Sequence, residues 1–265
     1  MKFHFFSALL VSVAMIGCDN ENDSPSTPDV IPGPKLRSVS TFFQNASGFR
    51  PAEKTIFTYD AFGRVSAKEY LTYDLMDKGF HHFSTTQFNY DGNLLSTTDE
   101  LNVVNHRTIT RYQYFNNRVS KMLRDDVDVD TEVSVSYLAG DTVKAFYKQS
   151  SGRSFTYMVH APLGNVTFEK TINDGNELSS IVTNEFDGHT NPYSLLHFTD
   201  LFFSNLSKSN KTKTESAYFT HQPNSVPVSY SYTYNSDGLP TEQMITYKSW
   251  PNGEVTSLLK VVFEY

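Results

Sequence analysis

"FTYDAFGRVSAKEY", residues 57–70, is the stretch on which the fold turns. Asp tolerates the left-handed backbone region and Gly reaches positive φ, so Asp60–Gly63 read as a tight reversal between two strands. Tyr59 then packs the end of one strand and Val65 resumes the core face of the next. On this reading Gly63→Val damages folding and Asp60→Asn leaves the domain intact. Looser copies recur at Tyr90-Asp91-Gly92, Tyr114-Phe115-Asn116-Asn117, Tyr137-Leu138-Ala139-Gly140-Asp141, Phe186-Asp187-Gly188 and Tyr234-Asn235-Ser236-Asp237-Gly238. Their leading aromatics stand 31, 24, 23, 49 and 48 residues apart, and the last two spacings are near twice 24. The chain therefore repeats with a period of about 24, two strands and two turns to the unit.

The flanks of these turns alternate with period two, as half-buried strands do. Val228, Tyr230, Tyr232 and Tyr234 oppose Ser229, Ser231 and Thr233, and the last strand sets Leu259, Val261, Phe263 and Tyr265 on one face. With 16 Tyr and 21 Phe the composition is that of strands. The expectation is an all-β domain over residues 36–265: a large antiparallel meander of Tyr-Asp-type hairpins, about fifteen strands, forming a curled sheet or barrel. One helix is expected near 192–205, with Asn191 as cap, Pro192 at its first position and Leu195, Thr199, Phe202 and Leu206 on one face. A wide barrel cannot be filled by wall side chains alone, so this helix is expected in its mouth or lumen.

Residues 1–17 read as a signal peptide, because their apolar run is too short to span a bilayer as a helix. The single cysteine, Cys18, follows directly after Ile16-Gly17 and resembles the acylated thiol of bacterial lipoproteins; an ordinary signal peptide with a coincidental Cys is the other reading. Residues 18–35 hold four acidic residues and four prolines and read as a flexible tether. The acidic residues after Cys18 resemble the surface-export signals of Bacteroidetes lipoproteins. Together they imply an outer-membrane lipoprotein, anchored through lipid and exposed at the cell surface, with the periplasmic face as the alternative. Losing Lys2 with the signal peptide moves the formal net charge from −7 to −8. The chain has no run of Lys and Arg, so nucleic acid is not an expected partner.

The repeated turns resemble the YD repeats of Rhs-type wrapping proteins. Taken with Ile16-Gly17-Cys18, the acidic tether, "NPYSLL" (191–196) and "YNSDGLPTEQ" (234–243), the whole chain resembles an uncharacterised family of Bacteroidetes lipoproteins carrying a domain of unknown function with a porin-like fold. That family brings no established activity.

Motifs for catalysis are missing: there is no Gly-x-Ser-x-Gly, His-Glu-x-x-His, Cys-x-x-Cys or Gly-rich phosphate loop. The seven histidines beyond residue 17 show no metal-ligand spacing, so no catalytic residue, metal or cofactor is expected. "DDVDVDTE" (125–132) reads as a solvated acidic face of an outer strand, the calcium-loop alternative lacking its Gly at Thr131. Trp250, in "SWPNGE", sits at a hairpin tip and is the candidate ligand contact, on a sugar or a protein partner. The functional expectation is a non-catalytic binding or structural envelope protein, with glycan, peptide or protein as ligand and oligomeric state open. The alternatives are an enzyme whose site forms only in the fold, and a membrane-spanning β-barrel, which the alternating apolar residues of the last strand favour.

Overall fold

The computed structural model describes residues 30–197, 207–219, 224–249 and 253–265. Sixteen strands run in chain order: β1 (Ser38–Asn45), β2 (Gly48–Tyr59), β3 (Val65–Asp74), β4 (Gly79–Asp91), β5 (Leu94–Asn102), β6 (Arg107–Phe115), β7 (Arg118–Asp126) and β8 (Thr131–Leu138). The second half comprises β9 (Thr142–Gln149), β10 (Ser154–His160), β11 (Phe168–Asn173), β12 (Leu178–Thr190), β13 (Ser209–Tyr218), β14 (Asn224–Tyr234), β15 (Pro240–Lys248) and β16 (Val255–Glu264). Each pairs antiparallel with its neighbours in sequence, and β1 pairs with β16, Val39 opposite Phe263 and Thr41 opposite Val261. The sheet is thus a closed barrel, which leaves no unpaired edge.

The repeated motif builds one end of this barrel. Tyr59 lies opposite Val65, the amide of Asp60 donates to the Arg64 carbonyl, and the amide of Gly63, at φ 83°, donates to the Asp60 carbonyl. A side chain at position 63 would meet the Ile31 carbonyl at 2.8 Å, so glycine is required by packing as well as by φ. Asp60 does more than turn the chain. Its carboxylate accepts the amides of Phe62 and Arg64 and pairs with the Arg64 guanidinium at 2.7 Å. Arg64 in turn stacks 4.2 Å from the Tyr90 ring of the next hairpin, so Asp60 ties two repeats together.

Two features recur from repeat to repeat. The tyrosine hydroxyl donates to a backbone carbonyl at or just before the start of the hairpin that it ends: Tyr59 to Leu36 (2.7 Å), Tyr90 to Val65 (2.9 Å), Tyr114 to Leu95 (2.8 Å), Tyr137 to Val119 (3.0 Å) and Tyr265 to Pro240 (2.9 Å). Beside Tyr59, Tyr90, Tyr114 and Tyr234 the partner strand carries one extra residue, a β-bulge at Ser66, Ser96, Ser120 and Thr241. Three of these hydroxyls close the bulge on the opposite strand: Ser96 on the Asn89 carbonyl, Ser120 on Gln113 and Thr241 on Thr233. The bulge shifts the alternation by one, so Lys68 rather than Ala67 faces the lumen.

In an up-and-down barrel alternate turns share an end. The 60–64, 92–93, 116–117, 139–141 and 235–239 turns therefore lie together at one end, the motif end.

 The chain's amino-terminal segment joins them there, with the Ile31 amide on the Phe62 carbonyl and the Lys35 ammonium on the Gly63 carbonyl. Leu36, Val65, Leu95, Val119 and Val159, all essentially without solvent contact, form the apolar packing of the barrel. The opposite turns form a far rim, where Leu75, Met76, Val103, Val104 and Val127 are exposed.

Two sequence expectations are corrected here. The run 125–132 is not one strand: residues 127–130 form the turn between β7 and β8. The Asp126 carboxylate accepts the Asp128 amide, and Asp130 accepts the Asp126 amide, so the acidic side chains close a reversal that the interleaved valines had disguised as alternation. The helix expected over 192–205 is, where it is described, a five-residue 3-10 turn, Pro192–Leu196. Asn191 caps it as expected, accepting the Tyr193 amide, but His197 takes a left-handed φ of 52° and its amide bonds back to Ser194. Asn191 also donates to the Ser207 carbonyl and clasps the two ends of the loop. Residues 198–206 lie outside the described residues.

Candidate functional site

The lumen is where side-chain chemistry converges. The 3-10 turn inserts into it from the motif end: Leu196 is buried, and Tyr193 packs edge-on to Phe263 at 6.0 Å. Tyr193 lines two cavities. The larger, about 490 Å³, runs along β2 to β7 and is walled by a ring of threonines (55, 86, 98, 108 and 110) with Phe57, Phe88 and Tyr112. Lys68, Glu100 and Arg124 are its charged groups. The smaller, about 320 Å³, lies against β13 to β16 and β1, with Tyr230, Tyr232 and Tyr247 on one side and Leu259, Val261 and Phe263 on the other. Asn210, Lys211 and Gln243 supply its amide and ammonium groups. Both volumes fall in the range of small-molecule sites.

Behind the smaller chamber a polar network crosses five strands, β10 to β14. Glu169, buried, accepts from the Tyr157 hydroxyl and from the Asn184 amide at 3.0 Å. Asn184 in turn accepts the Thr214 hydroxyl at 2.8 Å, and Thr214 and Tyr230 share a hydrogen bond at 3.2 Å. Lys211 stands 3.9 Å from Glu169, and burial holds its ammonium below the usual lysine range despite that carboxylate. In the chamber wall itself, the Gln243 amide donates to the Tyr232 hydroxyl at 2.7 Å. Two buried side-chain oxygens, Thr86 Oγ1 and Asn210 Oδ1, have no hydrogen-bond partner among the described residues, and each belongs to a residue lining one of the chambers.

The outer face carries charged pairs as well as exposed apolar side chains such as Phe146. Cross-strand ion pairs run round it, among them Lys121–Glu132 (2.9 Å), Lys213–Glu185 (3.5 Å), Lys260–Glu242 (3.5 Å) and Arg111–Asp125. Leu259, Val261 and Phe263, the alternating apolar residues of the last strand, face the lumen and not the outside.

Of the residues singled out in the sequence, Cys18 and Trp250 lie outside the described residues. No histidine lines either chamber among the described residues. Two exposed or half-exposed trios, Asp74–Asp77–His81 and His106–Asp126–Asp128, bring three possible metal-ligand atoms within 4.8 Å. Both are knit by their own hydrogen bonds, His81 to Asp77 and His106 to Asp126. Sequence reasoning missed the luminal residues Lys68, Lys211 and Gln243, because which face they occupy depends on bulges that the alternation does not announce.

No protein-family profile matches the chain, and no curated protein resembles it. Solved structures do. A porin-like protein from Bacteroides uniformis superposes with a TM-score of 0.57 at 11% identity, covering 88% of this chain and 98% of that one. A porin-like protein from Bacteroides vulgatus gives 0.51 at 12% identity, covering 87% and 99%. The chain therefore has a porin-like fold, a closed sixteen-stranded antiparallel barrel of the architecture that the membrane-barrel alternative requires.

Proposed function

We propose that this chain is a non-catalytic binding protein of the bacterial envelope, held by lipid at Cys18, whose barrel stands in water and takes a small polar ligand, a short glycan, into its lumen. The observation that carries this reading is the contrast between the two faces of the sheet. Tyrosines, threonines, amides and a few charges line enclosed space, while the outside carries charged pairs at mid-strand. A charged side chain at the middle of a lipid-facing barrel wall costs about 2–4 kcal/mol, and a lipid-facing band is apolar for about 25 Å. Aromatic faces beside hydroxyl and amide groups suit the alternating C–H and O–H surfaces of a sugar.

The membrane-spanning reading keeps one specific support, the closed sixteen-stranded architecture shared with porin-like proteins. Cys18→Ser separates the two. It removes the acyl acceptor, so a barrel that stands in water appears in the aqueous fraction of the cell; one that spans the bilayer stays in the membrane fraction. For the ligand, the purified full-length chain is exposed to a panel of labelled oligosaccharides. Retention lost on Tyr232→Ala supports the luminal reading, and retention of none of them leaves a structural role in its place.

A further inference from the structure

Lys211 is the only charged side chain in the described lining of the smaller chamber. Its side chain is 19% exposed, and among the described residues its ammonium has no hydrogen-bond acceptor. The nearest carboxylate, Glu169, is 3.9 Å away, beyond hydrogen-bond reach, and both its oxygens already accept from Tyr157 and Asn184. An enclosed ammonium that lacks acceptors is costly unless an anion arrives to complete it. The depressed basicity of Lys211 is the same cost seen as a proton equilibrium.

We propose that this chamber is a site for an acidic saccharide, with the ligand's carboxylate on Lys211 and its ring against Tyr230 and Tyr232. The proposal rests on the luminal glycan reading above and specifies its ligand. The charge balance selects a monoanion. Glu169 already offsets part of the lysine's charge, so a phosphate dianion would face uncompensated repulsion, whereas one carboxylate would not. The site offers a single ammonium and no guanidinium, so it holds its anion at one point. Around it, Gln243 and Asn210 provide amides for hydroxyl groups, and the buried Asn210 oxygen without a partner gives one place for a sugar hydroxyl to donate. A volume of about 320 Å³ admits one or two sugar units.

The test is calorimetry on the full-length protein in detergent with the monoanion galacturonate and with neutral galactose. The wild-type protein is expected to bind galacturonate at least about tenfold more tightly, the margin of a charge-assisted hydrogen bond. Lys211→Gln is expected to erase that margin, and Lys213→Gln, on the outer face, to preserve it. Equal wild-type affinity for the two sugars overturns the acidic-saccharide proposal while leaving the luminal glycan reading standing. Binding of neither overturns both. The wild-type ratio needs no variant, so the proposal stays decidable even where Lys211→Gln does not fold.

Discussion

At the scale of the residue, the tyrosine hydroxyls carry the repeat. Tyr90 reaches the Val65 carbonyl at 2.9 Å, and burial pushes its phenol up to about 12, so it remains a donor across the ordinary pH range. Tyr90→Phe keeps the ring on Arg64 and removes only the hydrogen bond. The expected cost is about 1 kcal/mol, read as a shift of a few degrees in Tm or a lower urea midpoint. Asp126 gives a pH-dependent counterpart. Burial opposes its charge, but the Asp128 amide, His106, Thr108 and Arg124 outweigh that and lower it from 3.8 to about 2. A carboxylate depressed in the folded state adds stability that is present above its unfolded value and lost as pH falls through the folded one. Asp126→Asn should therefore lower Tm at neutral pH, and the gap from wild type should narrow from pH 4 downward and close near pH 2. The motif's Tyr, Asp and Gly were legible because each answers to a local backbone requirement. The partner of each tyrosine was not, since the acceptor lies 18 to 25 residues away in these hairpins.

At the scale of the element, alternation located the strands but not their faces. Ser66, Ser96, Ser120 and Thr241 each follow the apolar residue that resumes a strand, a regularity visible in the sequence whose meaning appears only with the bulge. The start of the 192–196 turn was legible from Asn191 and Pro192; its end was not, because no local residue type announces the left-handed His197. The inserted turn is also the wall between the two chambers. Leu196 is 5% exposed and packs in the barrel's apolar cluster, so Leu196→Ala should cost about 2–4 kcal/mol, depending on how far the lumen relaxes around the lost atoms. Chemical denaturation measures the loss. A cost near zero would mean that Leu196 does not pack in the lumen as described.

At the scale of the whole molecule, closure was the least legible feature. It depends on β1 meeting β16, residues 38–43 against 259–264, and no short-range pattern encodes a contact across the full chain. What the sequence did carry is the polarity of the outer wall, as in Glu69 between Ala67 and Leu71, which lie opposite the luminal Lys68. That wall decides which solvent the barrel has evolved to meet. Phe146 is on it, in the middle of β9, between Lys144 and Lys148 and opposite in sense to the buried Ala145. It is 41% exposed and so contributes little burial to the core. In water, Phe146→Lys should change stability by no more than about 0.5 kcal/mol, the usual scale for a surface substitution. In a bilayer the same change places a charge against hydrocarbon and should cost about 2–4 kcal/mol. Unfolding of the wild-type and Phe146→Lys proteins, compared in detergent-free buffer and after reconstitution into phosphatidylcholine vesicles, reads the difference directly. A barrel that stays folded in buffer, does not enter the vesicles and is indifferent to the lysine is the aqueous binding protein proposed above; one that folds only in vesicles and is destabilised by it spans the membrane.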